Sequence, residues 1–343
     1  MLSSSSQTLE RAAILLRKGG VVAFPTETVY GLGANALDAK ACARIFEIKN
    51  RPFFDPLIVH VADFQALETL CVLNPKAEKL MKAFWPGPLT LVLRKKDLVP
   101  DLVTSGLPTV AIRFPDHPTA QALIRKAGVP VAAPSANPFG YLSPTTASHV
   151  REQIGDAVDL ILDGGPCRVG LESTILDLSG PKIRVLRPGG LATEEIERVI
   201  GKIEKDGPPA KGLKILAPGQ LPFHYSPHTA LRIVEQPRRK FPKSKRLGLL
   251  SFTGSTPKLS GYAHVEILSP RGDLREAAAN LFSCLHRLDA ARLDSIDAEP
   301  VPDKGLGRAI LDRLRKAANR RDPKLPPMNV NQHPFLEKAE VLQ

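Results

Sequence analysis

Between residues 21 and 178 the chain alternates short apolar runs with amphipathic stretches, and this alternation restricts its fold more than any other feature. The apolar runs at 21–24, 57–61, 89–93, 110–114, 129–133, 160–162 and 174–178 read as strands. Helical patterns at 39–48, 75–84, 119–127 and 145–154 lie between them. Before the first strand, Leu9, Ala12, Ala13 and Leu16 recur at helical spacing and the pattern stops at Gly19 and Gly20. Strands alternating with helices define an α/β sheet domain. Some strands follow one another across turns rich in Pro and Gly, which points to a mixed sheet over a purely parallel one.

A chain of 343 residues with 43% hydrophobic content has enough apolar surface for two ordinary cores. Residues 205–229 are dense in Pro and Gly and lack periodicity, so they read as an irregular connector between a domain at 1–204 and a smaller α/β unit at 230–343. In that second unit, 231–234, 247–252 and 265–268 read as strands, and 274–288 and 309–318 as helices.

The formal charge of +12 favours anionic partners such as nucleotides, polyphosphates or RNA. A basic run at 238–246 is a candidate for a weak RNA contact, although such runs are commonly solvated loops. Cys42, Cys71, Cys167 and Cys284 are scattered, with no zinc-type spacing, and read as buried thiols in a reducing compartment. The serine-rich start lacks the pattern of a signal peptide and no stretch is apolar enough to span a bilayer, so a cytoplasmic protein without membrane association is expected.

Polar clusters recur at strand ends. Residues 24–33 combine hydroxyls, Glu27 and two glycines after a strand; a capped Pro-Thr turn would explain them equally well. Lys49 and Arg51 precede Pro52, so both cations are expected on an irregular loop, facing phosphates or capping the preceding helix. Alternation places Thr109, Ala111 and Arg113 on the strand face opposite Val110 and Ile112. Arg113 there can clamp a carboxylate or pair with a nearby acid such as Asp116. His60, between Val59 and Val61, reads as a structural histidine on its own. Ser135 and Asn137 form a second polar loop, and Ser143 is a candidate helix N-cap. Such loops at several strand ends are how α/β enzymes assemble a site. The Walker phosphate loop, the dinucleotide glycine motif, His-Glu-x-x-His and Gly-x-Ser-x-Gly are all missing.

Taken in order, FPTETVYGLG at 24–33, Lys-x-Arg-Pro at 49–52, Ser-x-Asn at 135–137, GLESTILD at 170–177 and RPGG at 187–190 closely resemble the YrdC-type threonylcarbamoyl-AMP synthases. APGQLPFHYSP at 217–227 and GLGRAILDRLRKAA at 305–318 resemble the long, two-domain form, so the resemblance covers nearly the whole chain. It implies a YrdC-like twisted mixed sheet with helices, followed by a smaller C-terminal Rossmann-like α/β domain. It implies synthesis of L-threonylcarbamoyladenylate and diphosphate from L-threonine, bicarbonate and ATP, with magnesium accompanying ATP. The product would feed the tRNA threonylcarbamoyl transferase machinery.

The resemblance further implies that Thr28, His60, Arg113 and Ser173 hold L-threonine. It implies ATP contacts from Lys49, Arg51, Thr109, Ser135, Asn137, Ser143 and Arg187, with Lys49 and Arg51 also stabilising the departing diphosphate. No metal-ligand set is implied. Asp55, where the family usually has asparagine, is expected near ATP with magnesium or Arg51 between it and phosphate, and Phe139 replaces a small residue before Gly140. Tyr225 is expected to meet the nucleotide as the connector folds over the cavity. A non-catalytic RNA-binding protein would explain the charge but not Glu27, Glu172 and the hydroxyl-rich loops. A hydrogenase-maturation carbamoyltransferase would carry zinc-finger cysteines.

Overall fold

The strand ends that carry these polar loops converge because most of the apolar runs join one mixed sheet. The computed structural model describes residues 2–3, 5–203, 215–235, 241–242, 244–255 and 259–319. The chain begins with β1 (Leu2–Ser3), α1 (Ser6–Arg17), β2 (Val22–Phe24), β3 (Gly31–Asn35), α2 (Ala39–Lys49) and β4 (Ile58–His60). It continues through α3 (Leu67–Leu70), β5 (Cys71–Val72), α4 (Pro75–Phe84), β6 (Leu89–Lys95), α5 (Asp101–Thr104) and β7 (Thr109–Arg113). Next come α6 (Pro118–Ala127), β8 (Val131–Ala132), α7 (Ala147–Ile154), β9 (Leu160–Asp163), β10 (Thr174–Asp177), β11 (Arg184–Arg187) and α8 (Thr193–Ile200).

Sheet order is β1-β9-β2-β3-β8-β4-β7-β6-β10-β11, with β5 added to β6. Parallel pairs such as β4 with β7 and β6 with β10 sit beside antiparallel ones such as β6 with β7, so the sheet is mixed as expected. Register puts His60 opposite Arg113 and Arg113 opposite Thr90, a polar row across three strands. The adjacent row of Ile58, Ala111 and Val92 packs with Ile175 and with Ala217 from the connector into a small apolar floor.

The second unit contains β12 (Leu231–Ile233), β13 (Leu247–Ser251), β14 (His264–Ile267), α9 (Leu274–Ala290), β15 (Ser295–Ala298) and α10 (Gly307–Ala318). Its four strands pair in parallel in the order β12-β15-β13-β14, the Rossmann-like arrangement expected of it. Its core is continuous with Val29, Leu142 and Leu171 of the first unit and with Tyr225 of the connector. Gly170 has φ +72, and a Cβ there would lie 2.5 Å from the α9 backbone at Ala278 and Ala279, so only glycine lets this loop rest on α9.

The expected helix at 145–154 starts at Ala147, and its N-cap is Thr146, whose side chain accepts from the His149 amide. Ser143 is therefore not the cap; it faces Glu172 instead. Lys49 is the last residue of α2 rather than part of a loop, and the turn is made by Asn50 in the left-handed region at φ 51. All four cysteines are buried free thiols. The basic run at 238–246 lies only partly within the described residues, since 238–240 and 243 fall outside them, as do 205–214 of the connector and 320–343 of the second unit. No helix among the described residues is long and apolar enough to cross a membrane.

Candidate functional site

One cavity gathers strand-end side chains from the first unit and covers them with the connector. Arg51, His60, Arg113, Ser135, Ser173, Arg187 and Tyr225 all line it. Thr26, Glu172 and His224, from motifs quoted above but without expected roles, line it too.

At one end, Asn50 turns the chain out of α2 so that Lys49 and Arg51 leave in different directions. Lys49 lies behind the cavity, its Nζ donating to the Ser135 carbonyl at 2.6 Å and to the Asn137 carbonyl. Burial, reinforced by Arg51, pushes the Lys49 ammonium well below its ordinary pKa. Arg51 Nε donates to the Asp55 carbonyl at 3.0 Å and Nη2 to the Pro56 carbonyl at 2.8 Å. The same Nη2 is 3.0 Å from Asp55 Oδ1, yet neither Asp55 carboxylate oxygen accepts an aligned hydrogen bond. Burial raises the Asp55 carboxyl against the pull of Arg51. Arg51 thus touches the cavity, and Asp55 stands behind it.

At the other end, Arg113 Nη2 is 2.8 Å from Glu27 Oε2, and both side chains are buried. Asp116 pairs with Arg168 instead, because it lies beyond the end of β7 on the surface. His60, fully buried, is pushed down to about 3 by burial and then by Arg113, so it is neutral at physiological pH. Thr28 sits just behind the lining, its hydroxyl 2.8 Å from that of Thr26. Thr109 lies two residues before Ala111 on the same strand face and does not line the cavity, but its hydroxyl is buried without a partner. Asn137 is also outside the lining and holds its loop by donating to the Pro138 and Tyr141 carbonyls.

Between these ends, Arg187 donates to the Ser173 carbonyl at 3.0 Å and to the Pro218 carbonyl at 3.3 Å, tying β11 to β10 and to the connector. Ser143 donates to Glu172 Oε1 at 2.5 Å, and Glu172 Oε2 accepts from Arg313 Nε at 2.7 Å. Burial alone would raise the Glu172 carboxyl; Arg313, Arg187 and the Ser143 hydrogen bond outweigh it and hold it down to about 2. Tyr225 closes the cavity from the connector with φ 60, a conformation uncommon for an aromatic residue. Phe139 packs edge-on against His224 at 5.8 Å and lies 5.9 Å from the Arg51 guanidinium, so this bulky departure supports the connector.

Three arginines, Arg51, Arg113 and Arg187, line one cavity. Around it, His224 Nδ1 and Tyr225 Oη are buried without a hydrogen-bond partner, and Arg113 Nη2 and Asp55 Oδ1 make no aligned hydrogen bond despite lying within ion-pair distance of Glu27 and Arg51. Buried polar groups normally find partners, so this concentration marks a place built for a polar, anionic ligand. Among the described residues, no group of three or more His, Cys, Asp or Glu is placed to hold a metal ion. Arg313 was not legible as part of the site, because in sequence it is one more arginine of a basic amphipathic helix.

The fold and the cavity define an α/β enzyme scaffold around an arginine-rich ligand site. A family model described as telomere recombination, for Sua5, YciO and YrdC proteins, matches residues 14–189. A second, threonylcarbamoyl-AMP synthase C-terminal domain, matches residues 191–319. A Pyrococcus abyssi protein named threonylcarbamoyl-AMP synthase is 47% identical over 90% of this chain and 94% of its own length. Its Bacillus subtilis namesake is 45% identical over 93% of this chain and 95% of its own. The crystal structure of P. abyssi Sua5 complexed with L-threonine matches with a TM-score of 0.84 at 45% identity, covering 92% of this chain and 95% of that one. The chain belongs to the YrdC-type threonylcarbamoyl-AMP synthase family, in its long, two-domain form.

Proposed function

We propose that this enzyme makes L-threonylcarbamoyl-AMP and diphosphate from L-threonine, bicarbonate and ATP. The observation that carries the reading is the grouping of Arg51, Arg113 and Arg187 on one cavity, in a chain 45–47% identical to threonylcarbamoyl-AMP synthases over at least 90% of its length.

Arg113, His60, Thr28 and Ser173 form the threonine end. Arg113 lines the cavity while its Nη2, 2.8 Å from Glu27, makes no aligned hydrogen bond, so the guanidinium can turn to a substrate carboxylate, and His60 is neutral beside it. Lys49, Arg51, Ser135, Asn137, Ser143, Arg187 and Tyr225 form the ATP end, with Thr109 supplying a buried hydroxyl along the same face. The threonine amine attacks the carbon of bicarbonate, forming the carbamate N–C bond as a C–O bond breaks and water leaves. The carbamate oxygen attacks the α-phosphorus, and the bond to the diphosphate leaving group breaks. No protein nucleophile is required: the residues hold reactants in line, and Arg51 and Lys49 neutralise charge as it moves onto the diphosphate.

Magnesium enters as the counter-ion of substrate ATP, held chiefly by phosphates as is usual for this cation. Asp55, whose two carboxylate oxygens accept no aligned hydrogen bond, is the protein group suited to meet it. We place the reaction in the cytoplasm and divide the chain into a catalytic domain at 1–204, a connector at 205–229, of which Pro218, Gly219, His224 and Tyr225 line the cavity, and a second domain at 230–343. A tRNA threonylcarbamoyl transferase would consume the product. Mass-spectrometric detection of threonylcarbamoyl-AMP after incubation with the three substrates and magnesium tests the reading. Tight tRNA retention on filters without that product would favour the RNA-binding alternative.

A further inference from the structure

Helix α10 of the second unit lays polar side chains along the connector that covers the cavity. Lys316 Nζ donates to the Gly219 carbonyl at 2.7 Å, and the Lys316 carbonyl accepts from the His224 amide at 3.4 Å. One turn on, Asn319 Nδ2 donates to the Pro222 carbonyl at 3.3 Å. One turn before, Arg313 is fully buried with its guanidinium carbon 4.8 Å from the centre of the Tyr225 ring. Arg313 Nε simultaneously holds Glu172 at 2.7 Å. A single side chain of the second unit therefore touches two cavity-lining residues, one on the connector and one on the first unit.

We infer that Arg313 is a positioning residue for the synthase reaction, fixing Tyr225 and Glu172 against the cavity so that the second domain sets the affinity for ATP. The inference rests on the function proposed above. The left-handed backbone of Tyr225 persists only if its surroundings hold it, and its ring packs against both Arg313 and Phe282, the latter 5.7 Å away. Burial works against the charge of Arg313, but Tyr225, Glu172 and Asp312 outweigh it and keep the guanidinium protonated. On the far side, the Glu172 carboxylate retains Ser143 in the loop that leads from the Ser135 and Asn137 carbonyls. Loss of Arg313 releases both the cover and this loop, whose Tyr225 and Ser143 belong to the ATP contacts proposed above.

The test uses the full chain. Diphosphate release at saturating bicarbonate and magnesium gives the KM for ATP, and calorimetry with L-threonine alone gives its binding constant. Arg313→Ala is expected to raise the KM for ATP about tenfold or more, the scale of one lost charged hydrogen bond, while L-threonine affinity stays within about twofold. Arg313→Lys keeps a charge against Glu172 but loses the flat face over Tyr225, so its KM for ATP falls between the two. Because Arg313→Ala strands a buried carboxylate, a variant without a cooperative melt is replaced by Lys316→Met, which frees Gly219 and leaves the Arg313 contact with Glu172 intact; its KM for ATP should rise as well. An unchanged KM for ATP in a folded variant overturns the inference, and so does an equal loss of ATP and threonine affinity. If the unmodified protein releases no threonine-dependent diphosphate, the synthase reading fails instead, and ATP binding by calorimetry still decides the role of Arg313.

Discussion

Glu27 Oε2 lies 2.8 Å from Arg113 Nη2 with both side chains sealed from solvent, joining the loop after β2 to the end of β7. Removing one member of a buried pair strands the other charge, at a cost of about 3–5 kcal/mol. Arg113→Ala should lower stability in urea by that order and abolish threonine-dependent diphosphate release. An active Arg113→Ala enzyme would refute its role at the threonine carboxylate.

Lys49 should take up a proton when ATP binds. Burial and Arg51 depress its pKa in the free protein, whereas an arriving phosphate favours the ammonium form. Calorimetric enthalpies of ATP binding at pH 8 should therefore vary with the ionisation enthalpy of the buffer. Buffer-independent enthalpies would show that no proton is taken up.

Gly189→Ala should destabilise the protein by about 1–3 kcal/mol, as overpacking does in a rigid interior. A Cβ at this position would lie 2.3 Å from the Glu172 carbonyl and 2.4 Å from the Ser173 carbonyl carbon, so the chain carrying both cavity residues must shift. Thermal melting and the diphosphate assay should both report the loss. A variant with unaltered melting would mean that this close approach is relieved at no cost.

Acid should loosen the contact between the two units. His149 on α7 and His286 on α9 stack at 4.0 Å, and burial holds them down to about 3 and about 4. With folded pKa values below the unfolded value of about 6.5, the unfolded state binds more protons between those limits. Their stabilising contribution is present above about pH 6.5 and is lost as pH falls toward 4. Urea midpoints measured from pH 7 to pH 4.5 should fall, and His286→Asn should flatten the slope. An unaltered slope would place the acid sensitivity elsewhere.

The strands and helices that carry regular apolar periodicity were legible in the sequence, because period and burial agree there. β3 was not. Gly31 and Gly33 look like a loop, yet a Cβ at Gly33 would lie 2.6 Å from the Phe24 ring, so packing demands glycine inside a strand. β15 was also missed, since Asp297 interrupts its apolar run and is accommodated by Tyr262 at 3.0 Å and Arg232 at 2.6 Å. Arg51, His60 and Arg113, singled out through the order of their motifs, line the cavity. Arg313 was not legible, because its burial depends on Glu172, 141 positions away.

Substrate dependence of diphosphate release tests the central claim most directly. With ATP, magnesium, bicarbonate and L-threonine present, the account predicts diphosphate released together with threonylcarbamoyl-AMP, and neither when threonine or bicarbonate is omitted. Diphosphate release that continues without threonine, or no release with all components present, would contradict it.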